Sequence, residues 1–221
     1  MKTTLFVIGS SGQAKVALDI IECQGHHSIA GLLDDFRSVD ESTCGYPVLG
    51  TVNDIGRLSM IHASTAGVVA IGDNWKRAKV VQRIISILPN FEFVTLVHPA
   101  ASLSRSVKVG KGTVIMPGVT INRDAVLGDF CIANTNSSVD HDSRIGNYCS
   151  LAPGACTGGH VHIGDFSAVM IGACVSNAVK IGKHSVIGAG ATVLNDIADY
   201  QVAHGTPAKC SRERKQGEPY L

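Results

Sequence analysis

Apolar residues recur at every sixth position through the second half of the chain. From Val97 to Val193 this register holds seventeen positions, and fifteen of them are Leu, Ile or Val. A small residue stands four places after most of them, as at Ser143 and Ser167. A period of six fits neither an α-helix, which repeats at about 3.6 residues, nor an isolated strand, which repeats at about 2. It predicts a β-helix, a coil of three short strands joined by corners with aliphatic side chains inside.

A second period of eighteen residues is superimposed on the first. It is marked by aliphatic residues that precede a glycine, namely Val109, Leu127, Ile145, Ile163 and Ile181. Eighteen residues make one full coil, so about five coils stack at about 4.8 Å each. We expect these glycines to supply the tight corners, because glycine adopts unusual backbone angles at little steric cost. Cys131 and Cys149 fall in the small inward positions and are predicted to be core residues.

The first half of the chain alternates apolar runs with segments of helical spacing. Runs at 4–9, 29–33 and 67–72 predict three strands, and the patterns at 16–23 and 76–88 predict helices after the first and third strands. The fold class is therefore an α/β, Rossmann-like N-terminal domain followed by an all-β parallel β-helix.

Glycines and polar residues follow the ends of these predicted strands. They are Gly9, Gly12, Asp34, Gly72 and Asn74. Ligands of open parallel sheets bind at the carboxyl ends of the strands, so a nucleotide site is expected here. The glycine motif is only GxxG, which is shorter than the GxGxxG dinucleotide fingerprint. A dehydrogenase-like site, and a plain turn that Asp34 caps, remain as alternatives.

Charge and hydropathy exclude several classes of partner. Nineteen basic and eighteen acidic residues leave a net charge of +1, so nucleic acid is not an expected partner. The N-terminal apolar stretch is too short for a signal peptide, and no run of eighteen apolar residues occurs, so we expect a cytoplasmic protein without a membrane partner. A charged fraction of 17% is low and suggests that oligomerisation covers part of the surface.

The cysteines and three of the histidines show no metal-site pattern. Seven cysteines without a CxxC pair fit a reducing compartment. His160, His162 and His184 belong to different hexapeptides and have no cysteine or carboxylate at ligand spacing, so we interpret them as ordinary surface histidines. No metal is predicted.

The polar run Asp140, His141, Asp142 is a candidate catalytic site. Val139 and Ser143 are predicted to point into the coil, which places the three polar residues outside. His141 is the candidate general base for acyl transfer, since an imidazole with a pKa near 6.5 can accept and return a proton at neutral pH. A solvated surface histidine flanked by acids is the alternative.

Gly159 follows His141 by eighteen residues and is therefore expected one coil further along, beside it. Its backbone N–H would donate to the oxyanion that forms in acyl transfer, and its lack of a side chain would admit a thioester. A simple corner glycine is the alternative.

The chain as a whole resembles the PglD/NeuD-type sugar acetyltransferases of bacterial surface-glycan pathways. The matching segments are GSSGQAK at 9–15, LLDDF at 32–36, VAIGDN at 69–74, VHPAA at 97–101, NTNSSVDHD at 134–142, TGGHVHIG at 157–164 and GTPAK at 205–209. The resemblance implies a nucleotide-sugar-binding domain at 1–92, a left-handed β-helix at 93–205 and a C-terminal tail at 206–221, which we expect to be flexible. It also implies acetyl-CoA as the acetyl donor and a homotrimer with active sites at the subunit interfaces.

The resemblance assigns roles to individual residues. His141 is the base and Asp142 orients it. The substrate residues are Ser11, Gly12, Gln13, Asp34, Asp35, Gly72 and Asn134, with Asn134 facing the sugar near His141. The residues that border the coenzyme are Ser150, Gly159, Ile171 and Lys180. Gln13 and Ser150 stand where other members carry histidine, which affects the choice of sugar nucleotide and one hydrogen bond to the acetyl group.

The expected reaction is N-acetylation of a nucleotide-linked 4-amino sugar, typically UDP-linked, for a surface glycan or glycoprotein. O-acetylation of a sialic-acid-type sugar is the nearest alternative. A scaffold that binds a nucleotide sugar without catalysis is an alternative of a different class.

Overall fold

The computed structural model describes residues 2–220. The chain divides into two compact units. The first runs up to Gly72 and includes Lys76–Pro99, and the second contains Asp73–Trp75 and the chain from Ala100 onward. No helix within the described part of the chain is long and apolar enough to cross a membrane.

The first unit is an α/β domain. Its elements are β1 (Thr3–Ile8), α1 (Gly12–Gln24), β2 (His27–Leu33), β3 (Ser42–Thr43), β4 (Tyr46–Gly50), a 3₁₀ turn (Val52–Asp54), α2 (Ile55–Ile61), β5 (Ala66–Val69), α3 (Asn74–Ile87, whose first two residues group with the second unit), β6 (Glu92–Phe93) and β7 (Leu96–Val97). The sheet order is β3-β4-β2-β1-β5-β6, with only β3 antiparallel to its neighbour among the described strands. The three predicted strands and two predicted helices are confirmed, while β3, β4 and α2 were not predicted.

The strand order places β1 between β2 and β5, so the chain moves in opposite directions on its two sides. Ligands of doubly wound sheets bind at such a switch point. Gly9 follows β1 with a φ of 107°, and a Cβ there would lie 2.7 Å from the carbonyl oxygen of Ala70. This position therefore requires glycine for both conformation and space.

The second unit is a parallel β-helix of two-residue strands. In chain order they are β8 (Ser102–Leu103), β9 (Lys108–Val109), β10 (Val114–Ile115), β11 (Thr120–Ile121), β12 (Val126–Leu127), β13 (Ile132–Ala133), β14 (Ser138–Val139), β15 (Arg144–Ile145), β16 (Ser150–Leu151), β17 (Cys156–Thr157), β18 (His162–Ile163), β19 (Ala168–Val169), β20 (Cys174–Val175), β21 (Lys180–Ile181), β22 (Val186–Ile187) and β23 (Thr192–Val193), followed by β24 (Gln201–His204) and β25 (Lys209–Glu213).

These strands form three walls, in which paired strands lie eighteen residues apart, except β22 and β24, which lie sixteen apart. The first wall contains β8, β11, β14, β17, β20 and β23; the second contains β9, β12, β15, β18 and β21; the third contains β10, β13, β16, β19, β22 and β24. We call the corner between the first and second walls the first edge, that between the second and third walls the second edge, and that between the third and first walls the third edge. The predicted register is confirmed, since its positions from Ile115 to Val193 are all buried.

The reason for the repeated glycines differs from the prediction. Every sixth residue from Gly112 to Gly190 has a positive φ, and that corner position is occupied mostly by Asn, Asp, aromatic residues or other glycines. The glycines that follow the aliphatic positions, such as Gly146, do not have this conformation. A Cβ on Gly146 would lie 2.7 Å from the backbone nitrogen of Asp165. Close approach of the next coil, not backbone angle, therefore excludes larger residues there.

The start of the C-terminal segment is ordered by pairing, so the prediction of a flexible end is wrong for Lys209–Arg214. Strand β25 pairs antiparallel with β24. The buried guanidinium of Arg214 donates to the carbonyl oxygen of His184 at 3.2 Å. Backbone pairing and this hydrogen bond hold the segment against the last coil.

Candidate active site

A cavity of about 410 Å³ lies at the carboxyl ends of β1, β2 and β5 in the first unit. It brings together four of the predicted substrate residues: Ser11, Asp34, Asp35 and Gly72. Gly12 and Gln13 are not among its lining residues and form the first turn of α1 instead. The Nε2 of Gln13 is enclosed and has no hydrogen-bond partner among the described residues.

The two aspartates of this cavity organise its loop. Asp34 accepts hydrogen bonds from the Ser10 hydroxyl at 2.6 Å and from the Phe36 backbone N–H at 2.8 Å. Asp35 accepts from the Val52 N–H at 3.0 Å and forms an ion pair with Arg83 at 2.6 Å. Both carboxylates therefore have structural roles beside any contact with a ligand, and capping by Asp34, the structural alternative, is observed.

Sequence reasoning missed three further lining residues of this cavity. The Phe36 ring is 97% exposed and offers a face on which a base can stack. Lys76 and Lys79 lie three residues apart in α3, and their ammonium groups provide positive charge at the cavity. The sequence could have indicated these lysines, because they lie one helical turn apart at the start of the helix that follows the third predicted strand. An apolar cavity with an aromatic rim and two cations suits a nucleoside diphosphate.

His141 lies on the first edge of the β-helix with its imidazole half exposed. Its Nδ1 is 2.8 Å from Oδ2 of Asp142, which occupies the corner position with a φ of 58°. The hydrogen bond to Asp142 raises the pKa of His141 and lowers that of Asp142. Asp140 accepts from Asn122 at 2.7 Å, which lowers the Asp140 pKa and keeps a second negative charge beside the imidazole.

The pairing with Asp142 determines which ring nitrogen of His141 is basic. An ionised carboxylate only accepts hydrogen bonds, so the proton of the neutral ring lies on Nδ1. The lone pair is then on Nε2. That nitrogen points toward Gly159, since a Cβ on Gly159 would lie 2.6 Å from it. The predicted proximity of Gly159 and His141 is observed.

The Gly159 N–H was predicted to donate to the oxyanion of acyl transfer, but in this structure it already donates to another residue. It donates to Oδ1 of Asn177, one coil further along, at 3.2 Å. Gly159 itself is buried. The imidazole edge therefore packs directly against Gly159, and the Gly159 N–H is already used by Asn177.

The histidines set aside as surface residues have different environments. His160 lies beside the candidate base, with its Nε2 3.9 Å from Oδ2 of Asp142. His162 is exposed on the second wall. His184 is buried, so its interpretation as a surface residue is wrong. It belongs to a stack of rings along the second edge, formed by Phe130, Tyr148, Phe166, His184 and Tyr200.

The remaining predicted site residues are distributed around the β-helix. Lys180 begins β21 on the second wall, directly after the first edge. Ser150 begins β16 on the third wall and donates to Oδ1 of Asn74 at 2.6 Å. Asn134 and Ile171 lie on the third edge, and Ile171 is 58% exposed. Within one chain, only Gly159 and Lys180 of this predicted set are near the His141 edge, so Asn134 does not lie near His141.

A groove of about 670 Å³ runs along the second wall. Arg144, His162 and Lys180 lie in register on successive coils along it. Arg144 and His162 were not predicted as site residues. This column of basic side chains, beginning beside His141, suits an extended ligand with phosphate groups.

Comparisons with known proteins match both halves of the chain. A model of the PglD N-terminal domain matches residues 4–84. The UDP-N-acetylbacillosamine N-acetyltransferase of Bacillus subtilis (strain 168) is 33% identical over 110 residues, which is 49% of this chain and 49% of that protein. The chain therefore matches about half the length of this curated relative.

Solved structures match nearly the whole chain. PerB from Caulobacter crescentus, in complex with CoA and GDP-perosamine, is 34% identical, with a TM-score of 0.88 over 96% of this chain and 98% of that one. The acetyltransferase domain of PglB from Neisseria gonorrhoeae FA1090, in complex with acetyl coenzyme A, is 31% identical, with a TM-score of 0.86 over 96% and 100%. These matches confirm the fold class, an α/β domain followed by a left-handed β-helix.

Fold and site together define a hexapeptide-repeat acetyltransferase with an N-terminal α/β domain. The chain belongs to the PglD-type sugar acetyltransferase family.

Proposed function

We propose that the chain transfers an acetyl group from acetyl-CoA to the amino group of a nucleotide-linked 4-amino sugar, with a UDP-linked sugar as the substrate, for a surface glycan or glycoprotein. The observation that carries this proposal is the hydrogen bond between His141 Nδ1 and Asp142 Oδ2 at 2.8 Å, which leaves the lone pair on Nε2, at the ring edge that lies against Gly159. The names of the Bacillus and Caulobacter relatives specify N-acetylation, which supports an amine acceptor over a sialic-acid hydroxyl.

The proposed reaction uses His141 as both base and acid. The sugar nitrogen attacks the thioester carbonyl carbon while Nε2 accepts a proton from that nitrogen. The tetrahedral intermediate collapses as the carbon–sulfur bond breaks, and the imidazolium returns the proton to the departing thiolate. The products are the acetamido sugar and free CoA. Asp142 holds Nδ1–H and stabilises the transient imidazolium.

The nucleotide is proposed to occupy the cavity of the first unit. Lys76 and Lys79 would bind the diphosphate, and Phe36 would contact the base. The nucleobase itself is a question for experiment, because the Bacillus relative is named for a UDP-linked sugar and the Caulobacter enzyme was solved with GDP-perosamine.

The coenzyme is proposed to extend from Gly159 along the second wall, with Lys180 and its basic neighbours near its phosphates. Ser150, Ile171 and Asn134 lie on other faces of the same chain, so they can serve this site only from a neighbouring subunit. We therefore propose a homotrimer. Each active site lies between the first edge of one subunit and the third wall and third edge of its neighbour.

A substrate panel tests the reaction. Acetyl-CoA is combined with UDP- and GDP-linked 4-amino sugars and with free sialic acid, and the released thiol is measured. Turnover is expected with a nucleotide-linked amine. Turnover of sialic acid alone, or nucleotide-sugar binding without thiol release, would refute the proposal in favour of the O-acetyltransferase or the scaffold.

A variant tests the base. His141→Ala is expected to reduce kcat by about 10²-fold or more, since general base catalysis contributes about that much. His26→Ala is the matched control, because His26 is exposed in the turn between α1 and β2, away from both proposed ligand sites. Near-normal turnover by His141→Ala would remove the role of base from this residue.

A further inference from the structure

Two imidazoles face the carboxylate of Asp142. His160 follows Asp142 by eighteen residues and occupies the same corner position one coil further along, with a φ of 57°. Its Nε2 is 3.9 Å from Oδ2 of Asp142, the same oxygen that binds Nδ1 of His141 at 2.8 Å. The two rings are nearly perpendicular, at 88°, with centroids 5.1 Å apart. His160 therefore contacts both the candidate base and its carboxylate partner.

The backbone holds His160 in this place. Its N–H donates to the carbonyl oxygen of His141 at 2.9 Å, as part of the regular ladder between coils. The chain on both sides of His160 is buried, at Gly159 and Val161. Only the ring is free to rotate, within a short distance of Asp142.

The other charges around His141 leave an excess of negative charge without His160. Asp140 and Asp142 flank it on its own coil, and Asp124 occupies the corner one coil before Asp142. Arg144 acts on Asp142 as a cation, while the Arg123 side chain is 82% exposed and pairs with Asp124. Two carboxylates next to one imidazole make it more basic, and a base that holds its proton at neutral pH is idle.

We propose that His160 is a positioning residue that shares the Asp142 carboxylate with His141 and so limits the basicity of the catalytic imidazole. At 3.9 Å, His160 draws electrostatically on the same carboxylate oxygen, so Asp142 stabilises a proton on His141 less than it would without His160. This inference rests on the proposed role of His141 as general base.

The pH profile of kcat/KM tests the proposal through variants with opposite expected effects. In His160→Asn, His141 becomes more basic, so the acidic limb moves to higher pH and kcat/KM on that limb falls about threefold, the size expected for an exposed charge interaction. In Asp142→Asn, His141 becomes less basic and the limb moves to lower pH. His26→Asn is the matched control and is expected to leave the limb in place, because His26 is exposed in the turn between α1 and β2.

The double variant separates positioning from a general loss of structure. If His160 acts through Asp142, His160→Asn no longer moves the limb in the Asp142→Asn background. An unchanged limb in His160→Asn, or a move to lower pH, would overturn the proposal.

An NMR titration of the His141 ring in the same variants measures its basicity without acetyl transfer. A shift of the His141 midpoint to higher pH in His160→Asn supports the inference even if the enzyme acetylates none of the panel substrates. Failure of the substrate panel would then count against the proposed function alone, while an unmoved NMR midpoint would count against the role of His160.

Discussion

Gly159 lies directly against the imidazole of His141. A Cβ on Gly159 would stand 2.6 Å from both Nε2 and Cε1 of that ring. The φ of Gly159 is not in the positive range, so alanine fits the backbone there. The demand for glycine at this position arises from the space that the ring occupies.

Gly159→Ala is therefore expected to displace the base without unfolding the chain. The half-exposed His141 ring can rotate away, but a displacement of about 1 Å costs about 10²-fold in rate. Steady-state kinetics should show the loss mainly in kcat, with the melting temperature close to wild type.

Substitution of the adjacent Gly158 should instead affect the stability of the fold. A Cβ on Gly158 would overlap Oδ1 of Asn177 and approach its backbone nitrogen to 2.9 Å. Gly158→Ala should therefore disrupt the ladder between coils and lower the melting temperature clearly. A near-normal kcat in Gly159→Ala would show that the position of the ring does not matter for turnover.

Mixing inactive variants should reveal whether the active site is shared between subunits. Asn134 and Ile171 lie on the third edge, away from His141 in the same chain. If a partner supplies Asn134, co-expression of His141→Ala and Asn134→Ala chains produces hybrid trimers in which some sites contain both native residues. Thiol release by the hybrids should then exceed that of either variant alone.

The control for this experiment combines His141→Ala with Asp142→Asn. Both residues belong to one edge of one chain, so no hybrid contains a complete site and no activity should return. Hybrids of the first pair that remain as inactive as their parents would argue that each chain carries its own complete site.

Lys79→Gln should weaken nucleotide-sugar binding specifically. Lys79 lines the cavity of the first unit, and loss of one charged hydrogen bond to a phosphate is expected to raise KM for the sugar nucleotide about tenfold. KM for acetyl-CoA should not change. Lys2→Gln is the matched control, because Lys2 precedes β1 at the opposite, amino-terminal end of the strand. An equal rise of both KM values would show that Lys79 does not act on the nucleotide.

Much of the candidate site could be predicted because, in a β-helix, residues eighteen positions apart lie beside each other on adjacent coils. Once Val139 and Ser143 are placed inside, His141 must lie on an edge, and a residue eighteen places later must lie beside it. The same arithmetic could have placed His160 over Asp142 and His184 in line with Phe130, Tyr148 and Phe166. Those contacts were missed because the histidines were compared as metal ligands and not by the eighteen-residue period.

Other features of the site and fold depend on side-chain rotamers, helix orientation and strand pairing, which the sequence period does not predict. The Gly159 N–H donates to Oδ1 of Asn177, and this hydrogen bond depends on the rotamer of an exposed side chain. Lys76 and Lys79 reach the cavity of the first unit only because α3 directs that face toward it. The polar C-terminal strand carries no apolar alternation, and its order comes from pairing with β24.

The buried His184 gives a prediction about stability and pH. Its ring stacks between Phe166 at 4.7 Å and Tyr200 at 5.1 Å, nearly parallel to both. Burial is the main cause that lowers the pKa of His184 below 6.5, and the positive charges of Arg214 and Lys183 act in the same direction. Below pH 6.5 the unfolded chain binds a proton at this residue while the folded chain does not. The stability of the protein should therefore fall as the pH drops from 6.5 toward the lower pKa of the folded state.

His184→Phe should remove this part of the pH dependence. Phenylalanine continues the aromatic stack of the second edge and carries no titrating group, and the hydrogen bond from Arg214 uses the backbone carbonyl, which the substitution retains. Urea unfolding at pH 7.5 and pH 5.5 should show a smaller loss of stability for this variant than for the wild type. His162→Phe, on the exposed second wall, should lose as much stability as the wild type over the same interval. If His184→Phe and the wild type lose stability equally, the neutral ring of His184 is not what makes the fold sensitive to acid.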